Sequence, residues 1–241
     1  MLVLSHLKLS FIFAFLILKL INTKGHCYPK SIILQAVYFK LRFTLSYRDV
    51  EEIMKMRGVS VDHTAIQRWV FKFRPLLESE MKKRKGRVGA SWRLDETYIK
   101  VKGIWCYLYQ ATDKLGNTVD FLLTRKRQRM SAWSFLIKAI NNNYKPRVIN
   151  IDKSGSNTTA IKVYNKRSFS KIKIRQCKYG NNIVEQDHLF IKWRIQNGLG
   201  FKSFESARRT LSGIQVVDML RKNQMIGPGI TMFKSFCKVA G

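Results

Sequence analysis

The spacing of the apolar residues changes at residue 91, and this change divides the chain into two kinds of structure. Before residue 91, apolar residues recur every three or four positions, as on a helix with one buried face. After it, the segments 92–102, 104–111 and 118–124 predict three strands joined by turns. The elements predicted further on are helix 130–142, strand 147–152, helix 158–166, strand 171–178 and helices 183–196 and 204–223. The sequence therefore predicts an α/β fold with a five-stranded sheet of mixed pairing, preceded by an all-α domain.

The charge of the chain restricts the choice of partner. Its 241 residues include 45 Lys and Arg but only 15 Asp and Glu, which gives a net charge of +30. So large a charge repels itself in a compact state and suits a polyanionic partner. Nucleic acid is the first candidate, an anionic membrane surface is the second, and a merely solvated basic surface is the third. Four separated cysteines without a C-x-x-C pair predict neither a zinc site nor a disulfide framework, and they fit a reduced cytosol.

The apolar run near the start of the chain is shorter than the roughly 20 residues that span a bilayer. It is interpreted as a weak signal or anchor, as a buried helix, or, preferably, as an extension from an upstream start codon that is not native to the protein. The predicted divisions of the chain are an apolar extension (1–24), a helix-turn-helix domain (25–80), a basic linker (81–90), an α/β domain (91–225) and a C-terminal tail (226–241).

Two helices with a tight turn between them are predicted within residues 46–74. Ser46 and Asp62 are good N-caps, and Gly58 is a good residue to end the first helix. This pattern is typical of a helix-turn-helix motif, although a plain helical hairpin has it too. In the motif, exposed residues at the start of the second helix reach the major groove of DNA. Here they are His63, Thr64, Gln67 and Arg68.

A basic segment follows that helix. Pro75 is expected to end or divert the helix. Residues 82–87 contain five cations in six positions. They predict a mobile linker that contacts phosphates, or else a solvated run of charge.

Acidic residues are scarce enough to examine one by one. Asp95-Glu96 is an acidic step on the first predicted strand, and it either neutralises nearby cations or holds a metal ion. Asp113 lies in a predicted turn, where Asp is favoured for its bonds to its own backbone. Asp120 lies within a strand, where it could pair with a neighbouring cation. Neither of these two positions indicates a site.

The remaining carboxylates follow the order of the predicted sheet. Asp152 ends an apolar strand, at the edge where open α/β sheets build their sites. Glu185, the next acid, lies in the first turn of a helix. Asp95, Asp152 and Glu185 could therefore converge, although each could also have a structural role. Three such oxygen donors suit Mg²⁺, and two ions about 3.5–4 Å apart would serve phosphodiester chemistry.

These residues lie within a wider pattern that resembles the DDE transposases of bacterial insertion sequences, most closely the insertion-sequence-six family. The resemblance runs in one order from about residue 25 to residue 225. The matching stretches are Ser31–Val37, Ser46–Asp49, Val61–Thr64 with Arg68-Trp69, Asp95–Tyr98, Tyr107–Tyr109, Thr118–Phe121, Asn150–Lys153, Asn181–Glu185 with Asp187-His188, and Leu199–Ser203. Residues 1–24 have no counterpart in the family, and residues 154–159 differ from its usual Ala/Pro-rich stretch.

The resemblance implies an RNase H-like catalytic domain behind a helix-turn-helix domain. It assigns the catalytic triad to Asp95, Asp152 and Glu185, holding two Mg²⁺ ions that Mn²⁺ could replace. Lys192, two helical turns after Glu185, corresponds to a basic residue that often contacts the DNA end, or is an exposed lysine.

The function expected from the resemblance is metal-dependent cleavage and strand transfer at the terminal inverted repeats of an insertion sequence. The expected partners are double-stranded DNA, both terminal repeats and target, and further copies of the chain in a homodimer or higher oligomer. No small-molecule substrate is expected, and the expected location is the bacterial cytoplasm at the nucleoid. Two alternatives stay open: a catalytically silent copy that only binds DNA, and a membrane-anchored basic protein.

Overall fold

The computed structural model describes residues 27–152, 155–176, 182–196, 201–227, 229 and 231–241. The predicted extension, residues 1–24, lies outside these ranges. In chain order, the elements are α1 (Lys30–Arg42), α2 (Tyr47–Met56), α3 (His63–Arg84), β1 (Ser91–Val101), β2 (Ile104–Asp113), β3 (Thr118–Thr124), α4 (Arg129–Asn142), β4 (Val148–Ile151), α5 (Gly155–Arg167), β5 (Lys173–Gln176), α6 (Asn182–Gln196), α7 (Phe204–Arg221) and α8 (Met232–Ala240). The chain divides into a helical unit, formed by residues up to 85 and 212–241, and an α/β unit, residues 86–211.

The caps at the ends of α2 and α3 agree with the residues chosen from the sequence. Ser46 Oγ accepts a hydrogen bond from the Asp49 N–H, and the Asp49 carboxylate accepts one from the Ser46 N–H. Gly58 follows α2 with φ +76°, the left-handed conformation that ends a helix at little cost for glycine. The Asp62 carboxylate accepts from the Thr64 N–H at the start of α3. Local chemistry thus sets where both helices begin.

The helix α3 continues through Pro75 to Arg84, which corrects the predicted linker at 81–90. Pro75 is exposed, while Phe73, Leu77 and Met81 form one fully buried stripe at four-residue intervals. Burial of Leu77 and Met81 contributes about 1.5–3 kcal/mol each, which offsets the cost of about 3 kcal/mol for a proline inside a helix. The basic residues 82–84 therefore lie on a helix and not in a mobile segment.

The C-terminal residues also differ from the prediction, because residues 212–241 belong to the helical unit. The rings of Phe233 and Phe236 on α8 lie 5.1 and 5.2 Å from the ring of Tyr38 on α1, centroid to centroid. Phe236 and Val239 are fully buried in the core of this unit. The predicted end of the α/β domain at 225 and the predicted tail at 226–241 are thereby corrected, since apolar side chains of the tail complete a core.

The α/β unit is built on a five-stranded sheet with strand order β3-β2-β1-β4-β5. The pairs β1–β2 and β2–β3 are antiparallel, whereas β1–β4 and β4–β5 are parallel. This confirms the predicted mixed sheet flanked by helices. One face of the sheet contributes Trp92, Leu94 and Tyr109 to a core completed by α4 and α5. In the described ranges, no helix is both long and apolar enough to cross a membrane.

Asp113 fixes the turn between β2 and β3 and ties it to the start of the α/β unit. It is fully buried, and its carboxylate accepts hydrogen bonds from the N–H groups of Gly89, Leu115 and Asn117 and from the Asn117 side chain. These bonds confirm the turn role predicted for it.

We expect Asp113→Ala to lower the free energy of unfolding by about 3 kcal/mol or more, because several donors lose their acceptor in a buried place. Denaturant unfolding at neutral pH measures this change. Lys114→Ala, at the exposed neighbouring position, is the matched control and should cost less than about 0.5 kcal/mol. A loss below about 1 kcal/mol for Asp113→Ala would contradict this account.

Candidate active site

Three elements of the α/β unit carry the carboxylates singled out from the sequence. Asp95 lies near the middle of β1, directly opposite Gln110 on β2. Asp152 immediately follows β4, the strand that pairs in parallel with β1. Glu185 lies in the first turn of α6 and is exposed, while Asp152 is half-buried.

The electrostatics of Asp95 show that the other carboxylates act on it. Burial and, to a smaller extent, the charges of Glu96, Asp152 and Glu185 raise the pKa of Asp95 to about 7, against one hydrogen bond from the Glu96 backbone that lowers it. Its side chain is 18% exposed. A buried carboxylate whose pKa is raised in this way favours a bound proton or a bound cation. The donor set, all carboxylate oxygen, fits a hard divalent ion such as Mg²⁺.

The three carboxylates are spread more widely than the ligands of one ion. Within the described part of the chain, the one group of three potential ligand atoms that all lie within 4.8 Å of each other is Glu51, Asp62 and His63. Asp95, Asp152 and Glu185 are therefore close enough to interact through their charges without forming one tight cluster. This looser arrangement is compatible with carboxylates that divide their oxygens between two ions.

Two contacts hold α6 against the strands that carry the site. The buried Gln110 side chain donates to the buried Asp187 carboxylate on α6, with 3.2 Å between Nε2 and Oδ2. One residue further along α6, His188 Nδ1 lies 3.7 Å from Asp95 Oδ2. Burial and the charge of Lys192 lower the pKa of His188 to about 4. The imidazole is therefore neutral at neutral pH, and its contact with Asp95 is not an ion pair.

Gln110, Asp187 and His188 were not assigned a role from the sequence. The stretch Asp187-His188 belonged to the family pattern, but only the register of β1 with β2 shows that Gln110 lies opposite Asp95. One feature of the sequence could have pointed to His188. It lies three residues after Glu185, which places the two side chains on one face of the helix.

Glu96 has a structural role on the opposite face of β1 from Asp95. Its carboxylate accepts from the Arg127 guanidinium and from Asn157 Nδ2, the latter at 2.8 Å. Arg127 precedes α4 and Asn157 lies in the first turns of α5, so Glu96 joins both helices to β1. The pair Asp95-Glu96 was expected either to neutralise nearby cations or to hold a metal ion, and the first of these roles applies to Glu96.

Asp120 also has a structural role. Its carboxylate lies 2.7 Å from Lys138 Nζ and 2.7 Å from Asn142 Nδ2, both on α4. The predicted pairing with a cation is confirmed. With Asp113, Asp120 and Glu96 used in this way, Asp95, Asp152 and Glu185 are left as the candidates for chemistry.

The four predicted DNA-contacting residues of α3 fall into two pairs. His63 Nδ1 lies 2.9 Å from carboxylate oxygens of both Glu51 and Asp62, and Thr64 Oγ1 donates to Asp62. Gln67 and Arg68, one turn further, are exposed. Lys192, the fifth predicted contact, lies on α6 in the α/β unit and is half-buried.

Comparisons with known proteins found a family model and related proteins that match more than half of the chain. A family model described as a DDE domain matches residues 89–224. The chain is 40% identical over 198 residues to the transposase for insertion sequence-like element IS431mec of Staphylococcus aureus (strain Mu50), covering 81% of this chain and 86% of that protein. It is 39% identical, with the same coverage, to the transposase for insertion sequence element IS257 in transposon Tn4003 of Staphylococcus aureus. Among solved structures, the HTLV-2 integrase catalytic core domain in complex with magnesium covers 65% of this chain and 100% of its own, at 15% identity and TM-score 0.44.

The matched domain shows that the chain is a DDE-type polynucleotidyl transferase. Within that class, the chain belongs to the insertion-sequence-six family of transposases, which carry out DNA transposition.

Proposed function

We propose that this transposase binds the terminal inverted repeats of its insertion sequence and catalyses metal-dependent DNA cleavage and strand transfer. The observation that carries the proposal is the state of Asp95, whose pKa is raised to about 7 by burial and by the charges of Glu96, Asp152 and Glu185. A protein with net charge +30 has cations available to neutralise these acids. That Asp95 is nevertheless held close to other acids is typical of a cation site.

Asp95, Asp152 and Glu185 are the residues that would hold the metal, and we propose that they hold two Mg²⁺ ions, for which Mn²⁺ can substitute. When bound, these ions supply Lewis-acid activation of the attacking oxygen and stabilise charge on the leaving oxygen. The protein holds Asp95 in place through β1 and, on the α6 side, through the neutral His188. Because that imidazole carries no positive charge at neutral pH, it does not compete with a cation for the carboxylates.

The proposed reaction consists of two phosphoryl transfers on DNA. Water attacks a phosphorus at the element's end, which forms one P–O bond and releases a 3′-hydroxyl. That hydroxyl then attacks a phosphodiester of the target DNA, again with one P–O bond formed and one broken. Neither step needs a covalent protein–DNA intermediate. Lys192, on the same helix as Glu185, is proposed to contact the DNA end.

Recognition of the terminal repeats is assigned to the start of α3, as in a helix-turn-helix motif. The exposed Gln67 and Arg68 suit base-edge and phosphate contacts. The side chains of His63 and Thr64 both bond to Asp62, and that of His63 also bonds to Glu51. These two residues are proposed to take part by positioning the N-terminus of the helix against the groove. The basic clusters at 125–127, 166–167 and 171–178 are proposed to hold backbone phosphates, and residues 177 and 178 of the last cluster lie outside the described residues.

The assembly proposed for the reaction is a homodimer or higher oligomer on double-stranded DNA, since two element ends and a target have to be joined. No small-molecule substrate is proposed. Because its relatives are bacterial transposases, we propose that the protein acts in the bacterial cytoplasm at the nucleoid.

The test is an assay with purified full-length chain, labelled element-end DNA and a target plasmid, with Mg²⁺ or with EDTA. We expect end binding in both conditions and cleavage and joined product only with Mg²⁺. Arg68→Ala should weaken binding to the terminal repeat by about ten-fold. Lys55→Ala, at an exposed cation in the last turn of α2, is the matched control and should have little effect. End binding without any metal-dependent cleavage would support a catalytically silent copy instead.

A further inference from the structure

An exposed aromatic surface lies on the sheet beyond the part that the helices cover. In the register of β1 with β2, Tyr98 is opposite Tyr107 and Lys100 is opposite Trp105. Residues opposite each other, and residues two apart on a strand, share one face of a sheet. Tyr98, Lys100, Trp105 and Tyr107 therefore form one continuous strip, here called the aromatic strip.

The strip begins where the core of the α/β unit ends. On the same face, Tyr109 is fully buried and stacks on Phe135 of α4, with 5.8 Å between ring centroids. Beyond the Glu96–Arg127 pair, the rings become accessible: Tyr98 is 46% exposed and Trp105 is 56% exposed. The helices of the described chain thus cover half of this sheet face and leave the aromatic half open.

The rings of the strip support one another. The ring of Tyr98 lies 5.3 Å from that of Tyr107 and 6.3 Å from that of Trp105, both in edge-on geometry. Lys100 Nζ lies 5.6 Å from the centre of the Trp105 ring. Because each ring already packs against a neighbour, these side chains lose little conformational entropy when a flat ligand stacks on them.

The charges around the strip are positive. Lys100 and Lys102 are exposed on or beside it, and Arg127 donates to the Tyr98 hydroxyl at 3.4 Å. The nearest acid on this face, Glu96, is buried against Arg127. Exposed rings interleaved with cations match an anionic polymer with flat bases better than they match another copy of this basic chain.

We propose that the aromatic strip binds unpaired nucleobases of DNA strands by stacking, with Lys100 and Arg127 contacting the adjacent phosphates. Stacking of a base on an aromatic side chain requires an accessible base face, which an intact duplex does not offer along its length. The strip thus selects single-stranded DNA, such as a strand freed at a cleaved end. This inference rests on the proposed function, because it assumes that DNA is the substrate.

The test measures the affinity of the full-length chain, at one fixed salt concentration, for an oligonucleotide of about 20 nucleotides, as a single strand and as a duplex. We expect Trp105→Ala and Tyr98→Ala each to weaken single-strand binding by about ten-fold and to leave duplex binding within about two-fold. Trp105→Phe, which keeps a ring, should restore most of the affinity. Both positions are exposed, so the variants should fold, and thermal unfolding of each variant verifies this.

Tyr144→Ala is the matched control. Tyr144 is 65% exposed and has the Arg87 guanidinium 5.1 Å from its ring centre, but it lies outside the strip. Loss of single-strand affinity in Tyr144→Ala equal to that in Trp105→Ala would overturn the inference, since any exposed ring would then suffice.

Two other outcomes would also overturn it, and they are distinguishable. If Trp105→Ala leaves single-strand binding unchanged but shifts the oligomeric state in sedimentation, the strip is a surface between protein copies and the proposed function stands. If the wild-type chain binds neither the element-end duplex nor the single strand, the proposed function itself fails.

Discussion

Asp95→Asn, Asp152→Asn and Glu185→Gln should each lower the rate of DNA cleavage by about 10³-fold or more. Each change keeps the shape of the side chain but removes a negative charge that would hold a metal ion. A bound metal supplies several kcal/mol of transition-state stabilisation, and about 4 kcal/mol corresponds to a 10³-fold change in rate. The measurement is single-turnover cleavage of labelled element-end DNA in Mg²⁺.

Binding of the element end should be nearly unchanged in these variants, because the proposed recognition residues lie on α3 in the helical unit. Glu205→Gln is the control. Glu205 is an acid of the α/β unit that pairs with Arg208 and Arg209 on the surface of α7, and its replacement should leave cleavage unchanged. Full activity in any one of the three variants would remove that residue from the proposed site.

The carboxylates could be chosen from the sequence because acids are rare in this chain and local chemistry explains most of the others. The role of Asp113 follows from a local rule for turns, and Asp120 is an acid inside a strand for which pairing with a cation was predicted; the structure shows both sets of bonds. The strands β1 to β3 were predictable because alternating apolar residues and short turns are local signals. What remained was a short set of acids: one on the first strand, one at the end of the fourth strand and one in the first turn of a helix.

The domain boundaries could not be predicted in the same way, because they depend on contacts between distant parts of the chain. A proline at 75 and a run of cations after it indicate a helix end on local grounds. The helix continues because Leu77 and Met81 are buried in a core that also contains Phe236 and Val239. No local pattern shows that residues more than 150 positions apart share one core.

The residues that orient the site also depend on such contacts. Gln110 is an ordinary strand residue in the sequence, and it becomes significant only because β1–β2 pairing places it opposite Asp95 and α6 brings Asp187 to it. His188 carries a lowered pKa because of burial, which a sequence does not show.

The proposed metal site should reduce the stability of the metal-free protein, and Asp95→Asn should relieve this. The folded-state pKa of Asp95 is raised to about 7, whereas an unfolded Asp has a pKa of about 3.9. The folded state therefore binds more protons between these two values. Stability consequently falls as pH rises from about 4 to about 7, and the penalty is complete above that range.

We expect Asp95→Asn to increase the free energy of unfolding at about pH 8 in EDTA by about 2–4 kcal/mol. Each pKa unit corresponds to 1.36 kcal/mol, and the difference of about three units between the folded and unfolded pKa values of Asp95 sets the upper end of this range. At about pH 4 the difference between the two proteins should shrink to about 0.5 kcal/mol or less, because folded Asp95 is protonated and only about half of the unfolded Asp95 has ionised. Denaturant unfolding of wild type and variant across this pH range measures the difference, and the contributions of titrating groups distant from Asp95 cancel.

The same experiment with Mg²⁺ separates a metal site from a merely repulsive cluster of acids. Mg²⁺ should stabilise the wild type and leave Asp95→Asn unchanged, because a ligand stabilises only the state that binds it. Glu205→Gln should show no gain at about pH 8, since hydrogen bonds from Arg208 and Arg209 lower the pKa of Glu205 to about 2, the opposite sign to Asp95. If Asp95→Asn is no more stable than wild type at about pH 8, the acids do not repel one another as described, and the case for a cation at this site loses its main support.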